Sequence, residues 1–141
     1  VWGIGCDATN EEAVRRVYEI KKRADSKAML VLVDSPVKVD FYVQDVPDVA
    51  WDLIEVADKP LTIIYSGARN LAPNLLAEDG SIGIRVTNED FSRRLCQQFR
   101  KAVVSTSANI SGEPGAANFN ERFRAYSVPL QPPATHPAHA L

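Results

Sequence analysis

An α/β fold is predicted by two features of the 141-residue chain: short runs of β-type apolar residues alternate with capped, helix-spaced segments, and the last run stops in a cluster of small polar residues. The chain is 45% hydrophobic and 24% charged, which suits one globular domain large enough for a real core. Its net charge of −2 gives no global attraction to nucleic acid or anionic lipid, so binding of that kind would need a local patch. No apolar run approaches the roughly 18 residues of a membrane span, and the first residues, VWGIGCDA, lack the charged start and long apolar stretch of a signal peptide. A soluble, cytoplasmic protein is expected, and the absence of an initiating methionine suggests a fragment. Cys6 and Cys96 lack metal-type spacing and are expected to be reduced, largely buried thiols.

Taken in order, Thr9-Asn10-Glu11-Glu12 has the form of a capping box, and Val14, Val17 and Tyr18 carry helical spacing, predicting a helix from about Asn10 to Ala24. Ala28–Val33 is a continuous apolar run suited to a strand covered on both faces. After Pro36, the loose alternation of Val37–Val43 reads as a loop or short edge strand, and Pro47–Val56 as a helix with proline in its first turn. Leu61–Tyr65 is a second buried strand and Ser81–Val86 a third. Thr87-Asn88-Glu89-Asp90 repeats the capping pattern and opens a helix to about Arg100, with Phe91, Leu95 and Phe99 spaced at four. Ala102–Val104 is the fourth strand, and Asn118–Arg124 a further helical turn. The domain is placed at residues 1–124. Residues 125–141 hold no Asp, Glu, Lys or Arg, four of the nine prolines and both histidines, the composition of an extended tail. His136 and His139 have no Cys, Asp or Glu beside them and are not read as metal ligands.

Two distant stretches carry chemistry. The fourth strand runs into Ser105, Thr106, Ser107, Asn109 and Ser111, a polar cluster that either satisfies its own backbone or binds a ligand at a strand end. The end of the first helix holds Arg15, Arg16, Lys21, Lys22, Arg23 and Lys27, either a solvated face or half of an anion site. Lys21-x-Arg23 and Ser107-x-Asn109 together offer a point charge, a planar fork and directional donors, which fit a polyphosphate or carboxylate. There is no GxxxxGK[ST] motif, so a Walker-type site is excluded, and Gly3-Ile4-Gly5 is read as a tight backbone approach.

VWGIGCDA, IKKR, PLTII, GSIGIRV and STSANISG, in that order, resemble the YrdC family of threonylcarbamoyl-AMP synthases over roughly Val1–Phe119. The resemblance implies a twisted, mainly parallel open sheet with flanking helices and a concave cavity. It implies condensation of L-threonine, bicarbonate and ATP with Mg2+ to threonylcarbamoyl-AMP and pyrophosphate. A separate transferase would then modify tRNA at position 37. By the same resemblance Lys21, Arg23, Ser107 and Asn109 face the cavity and hold phosphates and the carboxylated amino acid; Thr62, Arg85 and Ser105 line the nucleotide side, Ser105 also shaping the turn; and Trp2 stacks on substrate or base. The family's Pro-Thr-acid-Thr segment, part of the threonine site, is expected just before Val1. Two other readings stay open: a module binding tRNA or double-stranded RNA through the basic rim from Arg15 to Lys27, and a domain that adenylates carbamoyl phosphate.

Overall fold

A computed structural model describes residues 3–23 and 28–114. Trp2, Lys27, the 118–124 segment and the 125–141 tail lie outside the described residues. Five strands form one sheet: β1 (Gly3–Asp7), β2 (Leu30–Val33), β3 (Thr62–Tyr65), β4 (Ile82–Val86) and β5 (Val103–Ser107), in the order β1-β5-β2-β4-β3. Between them lie α1 (Glu11–Lys21), α2 (Val37–Tyr42), α3 (Asp48–Val56), a 3₁₀ turn at Pro73–Leu75 and α4 (Asp90–Phe99).

The α/β class agrees with the sequence, but the sheet is mixed and not mainly parallel. β2 and β4 pair in parallel; β1 with β5, β5 with β2, and β4 with β3 pair antiparallel. Continuous apolar runs suggested strands enclosed on both faces. Instead Val31 and Val33 are buried on one face, while Leu30 and Leu32 are half-buried on the other.

The register sorts the side chains. Tyr65, Ile82, Ile84, Val31, Val33 and Val104 point to one face, where they pack with Val14, Val17 and Tyr18 of α1, Val39 and Tyr42 of α2, and Ala50 of α3. Gly3, Gly5, Ser105, Ser107, Leu30, Leu32, Gly83, Arg85 and Thr62 share the opposite face. α4 borders this open face, where the Cys96 thiol lies 3.8 Å from the Leu32 carbonyl.

Several local expectations are corrected. The N-cap of α1 is Asn10, whose Oδ1 accepts from the Ala13 amide at 3.0 Å, whereas the Thr9 hydroxyl donates to Asp7 at 2.7 Å. Glu89, not Thr87, caps α4, accepting from the Phe91 and Ser92 amides at 2.9 and 2.8 Å; the Thr87 hydroxyl pairs with that of Ser92 at 2.8 Å. Val37–Tyr42 is helical because its buried members, Val39 and Tyr42, are three apart, while Val37 and Phe41 are exposed. β3 is an edge strand and not a buried one, with Ile64 75% exposed. Phe91, Leu95 and Phe99 face outward, and the buried residue of α4 is Cys96.

β1 was not anticipated as a strand, but the close approach was. A Cβ on Gly5 would stand 2.8 Å from the Val104 carbonyl oxygen, so only glycine lets β1 lie this close to β5. Both thiols are free; Cys96 is buried and Cys6 half-buried, where burial and then the Asp7 charge push its pKa up to about 11.

Candidate functional site

The sequence predicted a four-residue cluster, and the fold brings its members together from opposite ends of the chain. α1 ends at Lys22, whose left-handed φ of 49° turns the chain while its amide and that of Arg23 close onto Glu19 and Tyr18 at 3.1 and 2.9 Å. This leaves the Lys21 carbonyl at the helix end, where it accepts from the Ser111 amide at 2.8 Å. The Lys21 ammonium donates to the Ser107 carbonyl at 2.5 Å, the Asn109 carbonyl at 3.0 Å and Asn109 Oδ1 at 3.2 Å. Lys21 is 1% exposed, and desolvation, followed by the charge of Arg23, lowers its pKa.

The loop after β5 is tied to itself as well as to α1. The Ser107 hydroxyl donates to Asn109 Oδ1, and Asn109 Nδ2 donates to the carbonyls of Ile110 and Glu113 at 3.2 and 2.6 Å. Arg23 reaches the same loop from the other side, its guanidinium 3.5 Å from the Ser111 hydroxyl and 3.0 Å from the Ala28 carbonyl. Ser107 itself is exposed at the end of β5, and Ala108 beneath it is buried. Ser105 and Thr106 belong to the strand, opposite Gly5 and Ile4 of β1, so they do not shape the turn.

Thr62 and Arg85 form a second polar pair on the same face. They are directly opposed across β3 and β4, and Arg85 Nε and Nη2 donate to the Thr62 hydroxyl at 3.0 and 2.9 Å. Arg85 and Ser105 help line a hollow of about 330 Å3 with Leu32, Lys59, Asn88 and Ser92. None of Lys21, Arg23, Ser107 and Asn109 is among its lining residues; Lys21 reaches from the end of α1 to the backbone at the end of β5, where Ser107 is exposed. A larger cavity of about 500 Å3 lies toward the other face, between Trp51 and Ile54 of α3 and Ile63, Tyr65 and Ile84 of the sheet. Among the described residues, no predicted site residue lines it. Sequence reasoning did not single out Lys59 or Ser92, because neither sits in a motif; their place beside Arg85 is set by tertiary packing.

The basic rim from Arg15 to Lys27 is less basic than its sequence. Arg15 is held between Glu12 and Glu19, Lys21 is buried, and Lys27 lies outside the described residues. Among the described residues no helix is long and apolar enough to cross a membrane.

Comparison with known proteins gives a consistent result. The family model for the Sua5/YciO/YrdC domain, described as telomere recombination, matches residues 1–128. A threonylcarbamoyl-AMP synthase from Pseudoalteromonas translucida is 37% identical over 116 residues, covering 80% of this chain and 62% of the relative. The chain therefore spans less than two thirds of that relative's length. Among solved structures, P. abyssi Sua5 complexed with L-threonine superimposes with a TM-score of 0.79 at 22% identity, covering 88% of this chain and 37% of that one. Full-length HypF in its phosphate- and nucleotide-bound form gives 0.74 at 22% identity, covering 86% and 19%. At these identities the two structures establish likeness of fold.

Proposed function

Because this chain belongs to the Sua5/YciO/YrdC family, we propose that it carries the nucleotide side of a threonylcarbamoyl-AMP synthase. The observation that carries this reading is the convergence of Lys21 with Ser107 and Asn109 across 86 and 88 residues of sequence, beside Arg23. The relative's name gives the product, threonylcarbamoyl-AMP; in the proposed reaction it is made from L-threonine, bicarbonate and ATP. The threonine amine and bicarbonate give a carbamate and water. A carbamate oxygen bonds to the α-phosphorus as the bond to the leaving pyrophosphate breaks.

Such a reaction asks a protein for placement and charge, not for a nucleophilic side chain. Lys21 and Arg23 supply positive charge at the loop; Ser107 and Asn109 order its polar surface; Arg85, set by Thr62, faces the α-phosphate and Ser105 the nucleotide. Trp2, outside the described residues, is assigned to stacking. A magnesium ion bound with ATP would offset phosphate charge, and the neutral hydroxyl and amide groups of Ser107 and Asn109 would leave its ligation to the substrate and water. The product would pass to a separate tRNA-modifying transferase, and cytoplasmic location follows from that role.

The likeness to HypF in its phosphate- and nucleotide-bound form supports a nucleotide on this fold, with no preference for carbamoyl phosphate. The RNA reading is not favoured, because Arg15 and Lys21 are already engaged within the protein. Incubation of the protein with L-threonine, labelled bicarbonate, ATP and Mg2+ should yield labelled threonylcarbamoyl-AMP together with pyrophosphate. ATP binding without labelled product would reject the synthase and leave a nucleotide-binding domain.

A further inference from the structure

On the nucleotide reading Lys21 joins Arg23 in the positive charge around the phosphates, and the narrower role that its geometry gives it rests on that reading. An ammonium group has three hydrogens to donate, and three acceptors, two carbonyls and the Asn109 side-chain oxygen, stand within 3.2 Å of this one. The residue is 1% exposed, so reaching a phosphate would mean giving up one of these three bonds from a position shielded from water. The backbone of the same residue holds the far side of the loop, since its carbonyl accepts from the Ser111 amide at 2.8 Å.

The consequences spread through Asn109. Its Oδ1 accepts from both Lys21 and the Ser107 hydroxyl, while its Nδ2 is spent on the Ile110 and Glu113 carbonyls. Lys21 is therefore one of the groups that hold the Asn109 amide in this orientation, and with it the Ser107 hydroxyl that donates to the same oxygen. We propose that Lys21 is a positioning residue, a strut that fixes the Ser107–Ser111 loop in its nucleotide-receiving form before any ligand arrives, and that it does not itself contact the phosphates. Direct charge contacts then fall to Arg23 and Arg85.

Amide hydrogen exchange on the whole chain without nucleotide tests this. In Lys21→Met, the Asn109 and Ser111 amides should exchange at least roughly tenfold faster than in wild type, with the Val31 and Ile84 amides unchanged. Saturating ATP should slow the two loop amides back toward the wild-type rate, because ligand selects the ordered loop. Unchanged loop exchange in the variant would overturn the strut, and so would loop amides that stay fast once ATP has saturated the protein. If Lys21→Met exposes the core amides as well, the wild-type chain decides by nitrogen NMR of the lysine side chains. The Lys21 ammonium signal should be visible before ATP and stay in place on its addition, and a large shift would make Lys21 a phosphate ligand. Calorimetry with ATP separates the strut from the nucleotide proposal, since a wild-type protein that binds no ATP fails the latter while the exchange comparison without nucleotide still judges the former.

Discussion

The two faces of the sheet are made by alternate residues of the same five strands, yet they do different work. On one face Val31, Val33, Ile84 and Val104 are essentially excluded from water and hold α1, α2 and α3 in place. On the other, Gly3, Gly5, Ser105, Ser107, Arg85 and Thr62 leave a half-open polar surface bordered by α4. The difference teaches that period-two alternation can divide one strand between stability and recognition. In β5, Val104 is buried completely while its neighbour Ser105 turns to the hollow.

Substitutions should separate the two faces. The largest effect is expected from Ile84→Ala, which truncates a buried core side chain and should cost about 2–5 kcal/mol in urea unfolding, with ATP affinity kept while the protein is folded. A loss of affinity equal to that of an open-face variant would break the division. Gly5→Val cuts across it: the position lies on the open face, but its Cβ would press on the Val104 carbonyl. About 1–3 kcal/mol of stability should be lost there through strand separation. Unchanged melting would mean β1 can shift freely.

Arg85→Ala should do the reverse, weakening ATP binding by roughly ten- to a hundredfold in calorimetry through loss of a charge-assisted contact, with stability within about 0.5 kcal/mol of wild type. Thr62→Val removes the acceptor that orients Arg85 and should weaken ATP binding by a smaller factor. Equal affinity in both variants and the wild type would remove the pair from the site. The smallest effect concerns Glu89, the N-cap of α4 at the edge of the hollow. Hydrogen bonds from the Ser92 amide, the Ser92 hydroxyl and the Phe91 amide hold its pKa below the ordinary glutamate value. Its ionised cap therefore adds stability at neutral pH that is lost as pH falls through the folded pKa. Thermal melts should find Glu89→Gln less stable than wild type at neutral pH and equal to it in strong acid; a gap that persists in acid would assign the effect to something other than the charge.

Much of this fold and of the four-residue cluster was legible in the sequence, because the signals were local. Apolar runs placed β2, β3, β4 and β5, and Lys21-x-Arg23 and Ser107-x-Asn109 stood out as motifs whose side chains the fold then gathers. What could not be seen was decided by neighbours. Strand direction depends on pairing, so the mainly parallel sheet implied by the resemblance gave way to a mixed one. The caps passed from Thr9 to Asn10 and from Thr87 to Glu89 because the threonine hydroxyls found nearer partners in Asp7 and Ser92. The state of Lys21 was hidden for the same reason. A lysine among basic residues looks solvated until the carbonyls that surround it, contributed from the far end of the chain, are in place.

The link between Lys21 and Ser111 joins α1 to residues beyond β5. Loop closure over that span is entropically expensive and comes late when a chain assembles. The Ser107–Ser111 loop therefore reports on completion: a partly folded chain lacks it, whatever secondary structure it already holds. Any nucleotide that binds the finished loop adds its binding energy to the stability of the whole domain, so the proposed ATP site would make ATP a folding ligand of this protein.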